Sequence, residues 1–188
     1  MSLVNSTYQW LAVYTRSRSE KKLLSELVKK GIDCYLPLKI EKRQWSDRIK
    51  KIEEPLLKGY LFVKVSNKEY FNVLNTPGAV TYVSFEGKAA PIPEKQINDL
   101  KTFMKFYNDQ VDVTRESLSK GEKVIVVTGP LKGVTGEITD FRGKNRIALR
   151  FENLGYCVLT DIALQDVEIY KPDLIPSHRK LADMLTDY

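Results

Sequence analysis

The residues in this chain best suited to chemistry are aromatic and cationic. Along Lys58-Gly59-Tyr60-Leu61-Phe62-Val63-Lys64-Val65 the side chains alternate with the period of a β-strand. Leu61, Val63 and Val65 therefore share one face and Tyr60, Phe62 and Lys64 the other. The same division recurs in Trp10-Leu11-Ala12-Val13-Tyr14 and in Thr81-Tyr82-Val83-Ser84-Phe85. If the three strands share a sheet, its second face gathers Trp10, Tyr14, Tyr60, Phe62 and Tyr82. Rings interleaved with lysines suit a binding platform; the alternative is that helices or a second domain cover them. A second constellation is Lys39-Ile40-Glu41-Lys42-Arg43-Gln44-Trp45-Ser46-Asp47-Arg48-Ile49-Lys50-Lys51. Arg43, Trp45 and Arg48 in an exposed arm suit phosphate contact plus stacking, or a solvated hairpin whose Trp45 tucks against the body.

Catalytic chemistry is not supported. His178 is the only histidine, and no Ser/His/Asp set, Cys/His set or metal-ligand spacing occurs, so neither a metal nor a cofactor is expected. Gly129-Pro130-Leu131-Lys132-Gly133-Val134-Thr135-Gly136 superficially resembles a phosphate loop, but it lacks the Gly-Lys-Ser/Thr ending and opens a strand rather than a helix.

The elements that must hold the aromatic and basic residues fall into two textures. Strand Trp10–Thr15 leads to Ser17 and Glu20, a capping-box spacing, and a helix whose Leu23, Leu24, Leu27 and Val28 form one stripe before Gly31. Its other side carries Arg18, Lys22 and Lys29, a charged face that solvation alone would explain. Strand Asp33–Leu38, the basic arm and the central strand follow, then a short helix (Lys68–Asn75) capped by Asn67. Strand Val80–Phe85 and a helix from Glu94, with Ile97, Leu100, Phe103, Met104 and Tyr107 at helical spacing, complete the set. The expected order is β-α-β-β-α-β-α over residues 8–108, an open, mostly antiparallel sheet with helices. Polar residues 109–119 read as a linker. Residues 120–171 change to short strands separated by Gly-rich turns, as in a small five-stranded β-barrel, and the fold class is α+β. Residues 172–188 are a tail with one possible short helix.

At 188 residues the chain can bury two small cores. Residues 1–110 hold 19 Lys/Arg against 12 Asp/Glu, whereas residues 111–188 hold 11 against 12, so the basic excess lies in the first part and suggests a polyanion nearby. Cys34 and Cys157 are too far apart for a disulfide framework, and neither a signal peptide nor a bilayer-spanning run is visible, which together suit a cytoplasmic, monomeric protein.

Two motifs are specific. Lys58–Val65 fits most of an RNA-recognition-motif strand, departing at Leu61 and Val65. Gly121-Glu122-Lys123-Val124-Ile125-Val126-Val127-Thr128-Gly129-Pro130-Leu131-Lys132-Gly133-Val134-Thr135-Gly136 is similar to a KOW motif, with Gly121, Gly129, Pro130, Gly133 and Gly136 at its turns. Together with Glu54-Pro55-Leu56-Leu57-Lys58-Gly59-Tyr60-Leu61-Phe62-Val63, these resemble the NusG family of transcription elongation factors over roughly residues 9–170. The resemblance implies an NGN-like domain binding the clamp helices of RNA polymerase through a patch holding Tyr14, Tyr60 and Phe62, with Trp10 and Tyr82 on the same face. It implies suppression of pausing, and a KOW barrel that recruits a ribosomal protein or a termination factor.

Details are similar to the RfaH and UpxY antiterminators. That resemblance implies contact of Arg16, Lys22 and Lys29 with the displaced non-template DNA strand. Glu26 stands where that surface has a histidine, Lys58 where the family has proline, and no threonine motif is visible in Tyr70-Phe71-Asn72-Val73. The helical alternative known for the RfaH carboxy-terminal domain is opposed by Gly129, Pro130, Gly133 and Gly136, each costing a helix about 1 kcal/mol for Gly and about 3 for Pro, so a permanent barrel is expected. Other functional readings are a free RNA-binding module using the same rings and a ribosome-associated KOW protein.

Overall fold

A computed structural model describes residues 7–45, 48–115 and 120–171. The elements are β1 (Gln9–Thr15), α1 (Glu20–Lys29), β2 (Asp33–Tyr35), β3 (Leu38–Gln44), β4 (Ile49–Pro55), β5 (Tyr60–Val65), α2 (Tyr70–Leu74), β6 (Ala79–Tyr82), β7 (Ser84–Phe85), β8 (Lys88–Ala89), β9 (Pro91–Ile92), α3 (Glu94–Tyr107), β10 (Asp112–Thr114), β11 (Lys123–Val126), β12 (Thr135–Phe141), β13 (Lys144–Phe151), β14 (Tyr156–Asp161) and β15 (Val167–Ile169). The tail from residue 172 lies outside the described residues.

The first sheet runs β2-β5-β1-β6, with β9 also pairing β1, and every pairing is antiparallel. One face buries Leu11, Val13, Leu61, Val63 and Val65 against Leu23 and Leu27 of α1 and Val73 of α2, as the alternation requires. Strands β3 and β4 form a separate two-stranded hairpin, the basic arm.

The second sheet is antiparallel and six-stranded, in the order β10-β14-β13-β12-β11-β15. Two expectations change here. The pairing is an open path and no closed barrel is found; and residues 112–114, expected as linker, pair with β14 as a sixth strand. Two glycines in this sheet are dictated by close approach. A Cβ at Gly121 would lie 1.5 Å from the carbonyl oxygen of Ile138, and one at Gly136 would lie 2.7 Å from Cγ1 of Ile147 and 2.8 Å from the oxygen of Ala148. Gly129, Pro130 and Gly133 occupy the connection between β11 and β12.

Helix starts also differ from expectation. Ser17 does not cap α1: Ser19 is the N-cap, no side chain caps the helix, and Glu20 turns elsewhere. Asn67 does not cap α2. Instead Ser66 donates its N–H (3.0 Å) and hydroxyl (2.5 Å) to the Glu69 carboxylate, while the Ser66 hydroxyl accepts from the N–H of Lys68. These bonds, that of the Ser66 hydroxyl foremost, hold the Glu69 carboxyl down to about 2.

Candidate functional site: the aromatic face and the basic groove beside it

In an antiparallel ladder, directly opposed residues point to the same side of the sheet. The β1–β5 register opposes Trp10 to Lys64, Ala12 to Phe62 and Tyr14 to Tyr60, and β2 opposes Tyr35 to Phe62. Trp10, Tyr14, Tyr35, Tyr60 and Phe62 therefore stand on one face. The Tyr14 and Tyr60 rings meet edge-on at 5.5 Å, and Tyr35 stacks on Phe62 at 6.3 Å. Tyr82 is a correction. Its partner in β1 is Val13, so it lies on the opposite face, stacked on Tyr70 at 4.2 Å and donating its hydroxyl to the Tyr70 carbonyl at 3.0 Å. Burial raises its hydroxyl pKa. Alternation within β6 could not reveal this, because the face a strand presents depends on its register with its neighbour.

The face is covered. Phe151 of β13 packs on Phe62 with ring centroids 5.7 Å apart, Tyr156 of β14 meets Tyr60 edge-on at 5.9 Å, and the Arg115 guanidinium lies 4.4 Å above Tyr156. Phe62 is 0% exposed and Trp10 is buried, while Tyr60 is half-buried, which raises its hydroxyl pKa. Tyr14 alone of the expected patch stays open, at 46% exposure. The cover joins Phe151, Leu154 and Val158 to Phe62, Leu57 and the α3 residues Ile97, Leu100 and Phe103 in one hydrophobic cluster.

Polar bonds from α3 fix the second sheet in place. Lys95 donates to the Gly133 carbonyl at 2.9 Å and pairs with Asp99 at 2.9 Å. Gln96 donates to the Arg150 carbonyl at 2.7 Å. The buried Asp99 carboxylate accepts from the Thr135 N–H (3.3 Å) and hydroxyl (3.2 Å). Arg150 itself is paired to Glu137 at 3.0 Å.

Beside the open edge of the face lies a groove of about 790 Å3 between the start of α1 and the base of the β3–β4 hairpin. Tyr14, Arg18, Lys21, Arg43, Glu54 and Lys58 line it. Arg43 is held to Glu54 at 2.5 Å, Lys58 approaches the same carboxylate at 3.6 Å, and Lys21 donates to the Glu53 carbonyl at 2.7 Å. Of the expected basic residues only Arg43 reaches this groove. Arg16, Lys22 and Lys29 are exposed around α1, Lys29 pairing with Glu26 at 2.9 Å. Trp45 is 50% exposed beyond the end of β3, with the Lys50 ammonium 5.4 Å from its ring and its backbone N–H donated to the Arg48 carbonyl. Lys21 escaped sequence reasoning because nothing local to α1 indicates that the hairpin folds back beside it.

Among the described residues no group of three or more His, Cys, Asp or Glu side chains could hold a metal ion. Cys34 and Cys157 are both free thiols, and burial pushes Cys34 up to about 12. No described helix is long and apolar enough to cross a membrane.

Residues 8–101 match the family described as NusG, transcription termination factor nusG. The chain belongs to the NusG family. The match takes in the whole first sheet from β1 to β9 and the start of α3, and NusG proteins are transcription factors. No curated protein matches the chain. Among solved structures, one described as domain interaction in Thermotoga maritima NusG is similar, with a TM-score of 0.48 and 19% identity over 88% of this chain and 98% of that one. The MjSpt4:Spt5 complex in conformation A is similar with a TM-score of 0.28 and 19% identity, over 86% of this chain and 98% of that one.

Proposed function

We propose that this NusG-family chain is a transcription elongation and antitermination factor, a tether rather than a catalyst. Its aromatic face receives the clamp helices of RNA polymerase. One observation carries the reading: Tyr14, Tyr60 and Phe62 stand on one face of the β1–β5 pair within the segment that matches the family, and Tyr14 lies open at its edge. In this reading residues 8–108 form the polymerase-binding domain, residues 109–119 the linker and residues 120–171 a KOW module. The described arrangement is then the closed form, in which Phe151 and Tyr156 occupy the place of the clamp helices. Docking requires the second sheet to move away, because Phe62 is fully buried beneath it.

The groove holding Arg18, Lys21, Arg43 and Lys58, with Arg16 and the Trp45 arm flanking it, supports a contact with the non-template DNA strand at specific operons, in the manner of RfaH and UpxY. The second sheet, once free, would offer its own surface to a ribosomal protein or termination factor. The cytoplasm is the compartment this activity needs.

Capture of core RNA polymerase by the full chain tests the reading. The parent is expected to bind, and Tyr60→Ala with Phe62→Ala is expected to abolish binding. Equal capture by the double variant would sink it. Tight, salt-sensitive binding of single-stranded RNA without polymerase would instead favour a free RNA-binding module.

A further inference from the structure

The strand β10 is cut from a stretch whose composition reads as linker, yet it is fastened at both ends. Upstream, the Asn108 side chain donates to the Leu38 carbonyl and accepts from the Ile40 N–H, each at 2.7 Å, and Lys39 donates to the carbonyl of the buried Val111 at 2.5 Å. Downstream, Asp112, Val113 and Thr114 pair with Leu159, Val158 and Cys157 of β14. The Arg146 guanidinium, itself buried, pairs with Asp112 and, at 2.9 Å, with Asp161. One charged group on β13 thus rivets the strand from the connection to the strand from the sheet.

We propose that β10 is a strap that keeps the second sheet over the aromatic face and must peel from β14 before that face can open; the functional part of this inference rests on the polymerase reading above. The argument is one of reach. With β10 in place, the chain between the end of α3 at Tyr107 and Asp112 spans at most about 17 Å when fully extended. A sheet of six strands is about 24 Å across, so a cover tethered that closely cannot slide clear of the face. With β10 released, the tether runs from Tyr107 to Lys123 and reaches about 55 Å. Breaking the Phe62–Phe151 contact alone therefore loosens the cover without removing it, and the two events are coupled through one strand.

The test uses the full chain, with Cys34→Ser throughout and Phe151→Ala to weaken the cover. Thr114→Cys faces the native Cys157 across the ladder and locks the strap by a disulfide, whose formation mass spectrometry verifies. Asp112→Lys with Val113→Pro releases the strap instead, Asp112→Asn serving as a milder substitute if the pair misfolds. The readout is the radius of gyration from small-angle scattering. The locked chain is expected to stay near the compact value, about 16 Å for this length. Release of the strap is expected to raise it by about 5 Å, whereas the reduced chain, whose strap is again held only by its native pairing with β14, is expected to stay near the locked value. Equal radii for released and unreleased strap would overturn the proposal, as would a locked chain as expanded as the released one. Polymerase capture is scored separately. If no form binds, the polymerase reading fails while scattering still decides the strap; if the locked chain binds as well as the reduced one through Tyr60 and Phe62, the strap fails.

Discussion

The Glu20 carboxylate, at the first position of α1, accepts a 2.8 Å hydrogen bond from the backbone N–H of Gly59, just before β5. Glu20 is buried, and the bond joins the start of the helix to the turn that launches Tyr60 into the aromatic face. A charge-assisted bond at a buried position is among the stronger ones a fold can make. Glu20→Ala leaves the partly buried Gly59 N–H without its acceptor and is expected to cost about 2 kcal/mol, whereas Glu20→Gln keeps an acceptor and costs about half of that. Urea denaturation of the full chain reads both.

Gly59 itself has φ +84, and a Cβ there would sit 3.3 Å from Cε2 of Tyr14. Gly59→Ala therefore carries a conformational cost of about 1–2 kcal/mol and pushes the Tyr14 ring. The expected signature is a lowered Tm with a shifted Tyr14 ring resonance. An unshifted ring would refute the contact.

Phe151→Ala removes the ring that seals Phe62. A loss of about 3–5 kcal/mol is the usual range for truncating a buried aromatic. Loosening of the cover should also make the Phe62 region bind a hydrophobic dye at neutral pH. Substitution of the exposed Phe85 should do neither, since its ring is already in water.

Gly121, before β11, and Gly133, within the turn that follows it, should separate cleanly. Gly121→Ala places a methyl inside the Ile138 carbonyl and is expected to unfold the second sheet, seen as a lost set of amide resonances. Gly133→Ala meets open space at φ +88 and should cost only about 1 kcal/mol.

Glu69 gives the pH dependence its sign. Its carboxyl sits at about 2 against an ordinary 4.5, so its contribution to stability is present above about 4.5 and fades as pH falls towards 2. The Tyr8 hydroxyl donates to the same carboxylate at 2.9 Å, so acid should also loosen the start of β1. Carbon-detected titration should place the Glu69 midpoint far below 4.5. A midpoint near 4.5, or an acid transition unchanged in Glu69→Gln, would contradict this.

Alternation alone assigned the faces of β1 and β5, and hence Trp10, Tyr14, Tyr60 and Phe62, because side-chain direction in a strand is a local property of the backbone. The helical stripe of α3 and the turns around Gly129 and Gly133 were legible for the same reason. Tyr82 was not, since its face followed from the pairing of β6 with Val13. The strand at Asp112–Thr114 was not, since pairing with β14 and the Arg146 ion pair made a strand of three residues too short to carry a periodic signal of their own. Lys21 joined the groove only through the return of the hairpin, and Phe62 became core only through Phe151. Local periodicity determined which residues could form a binding face. Register and the packing of distant segments, which depend on contacts between residues far apart in the chain, decided that in this arrangement the face is closed.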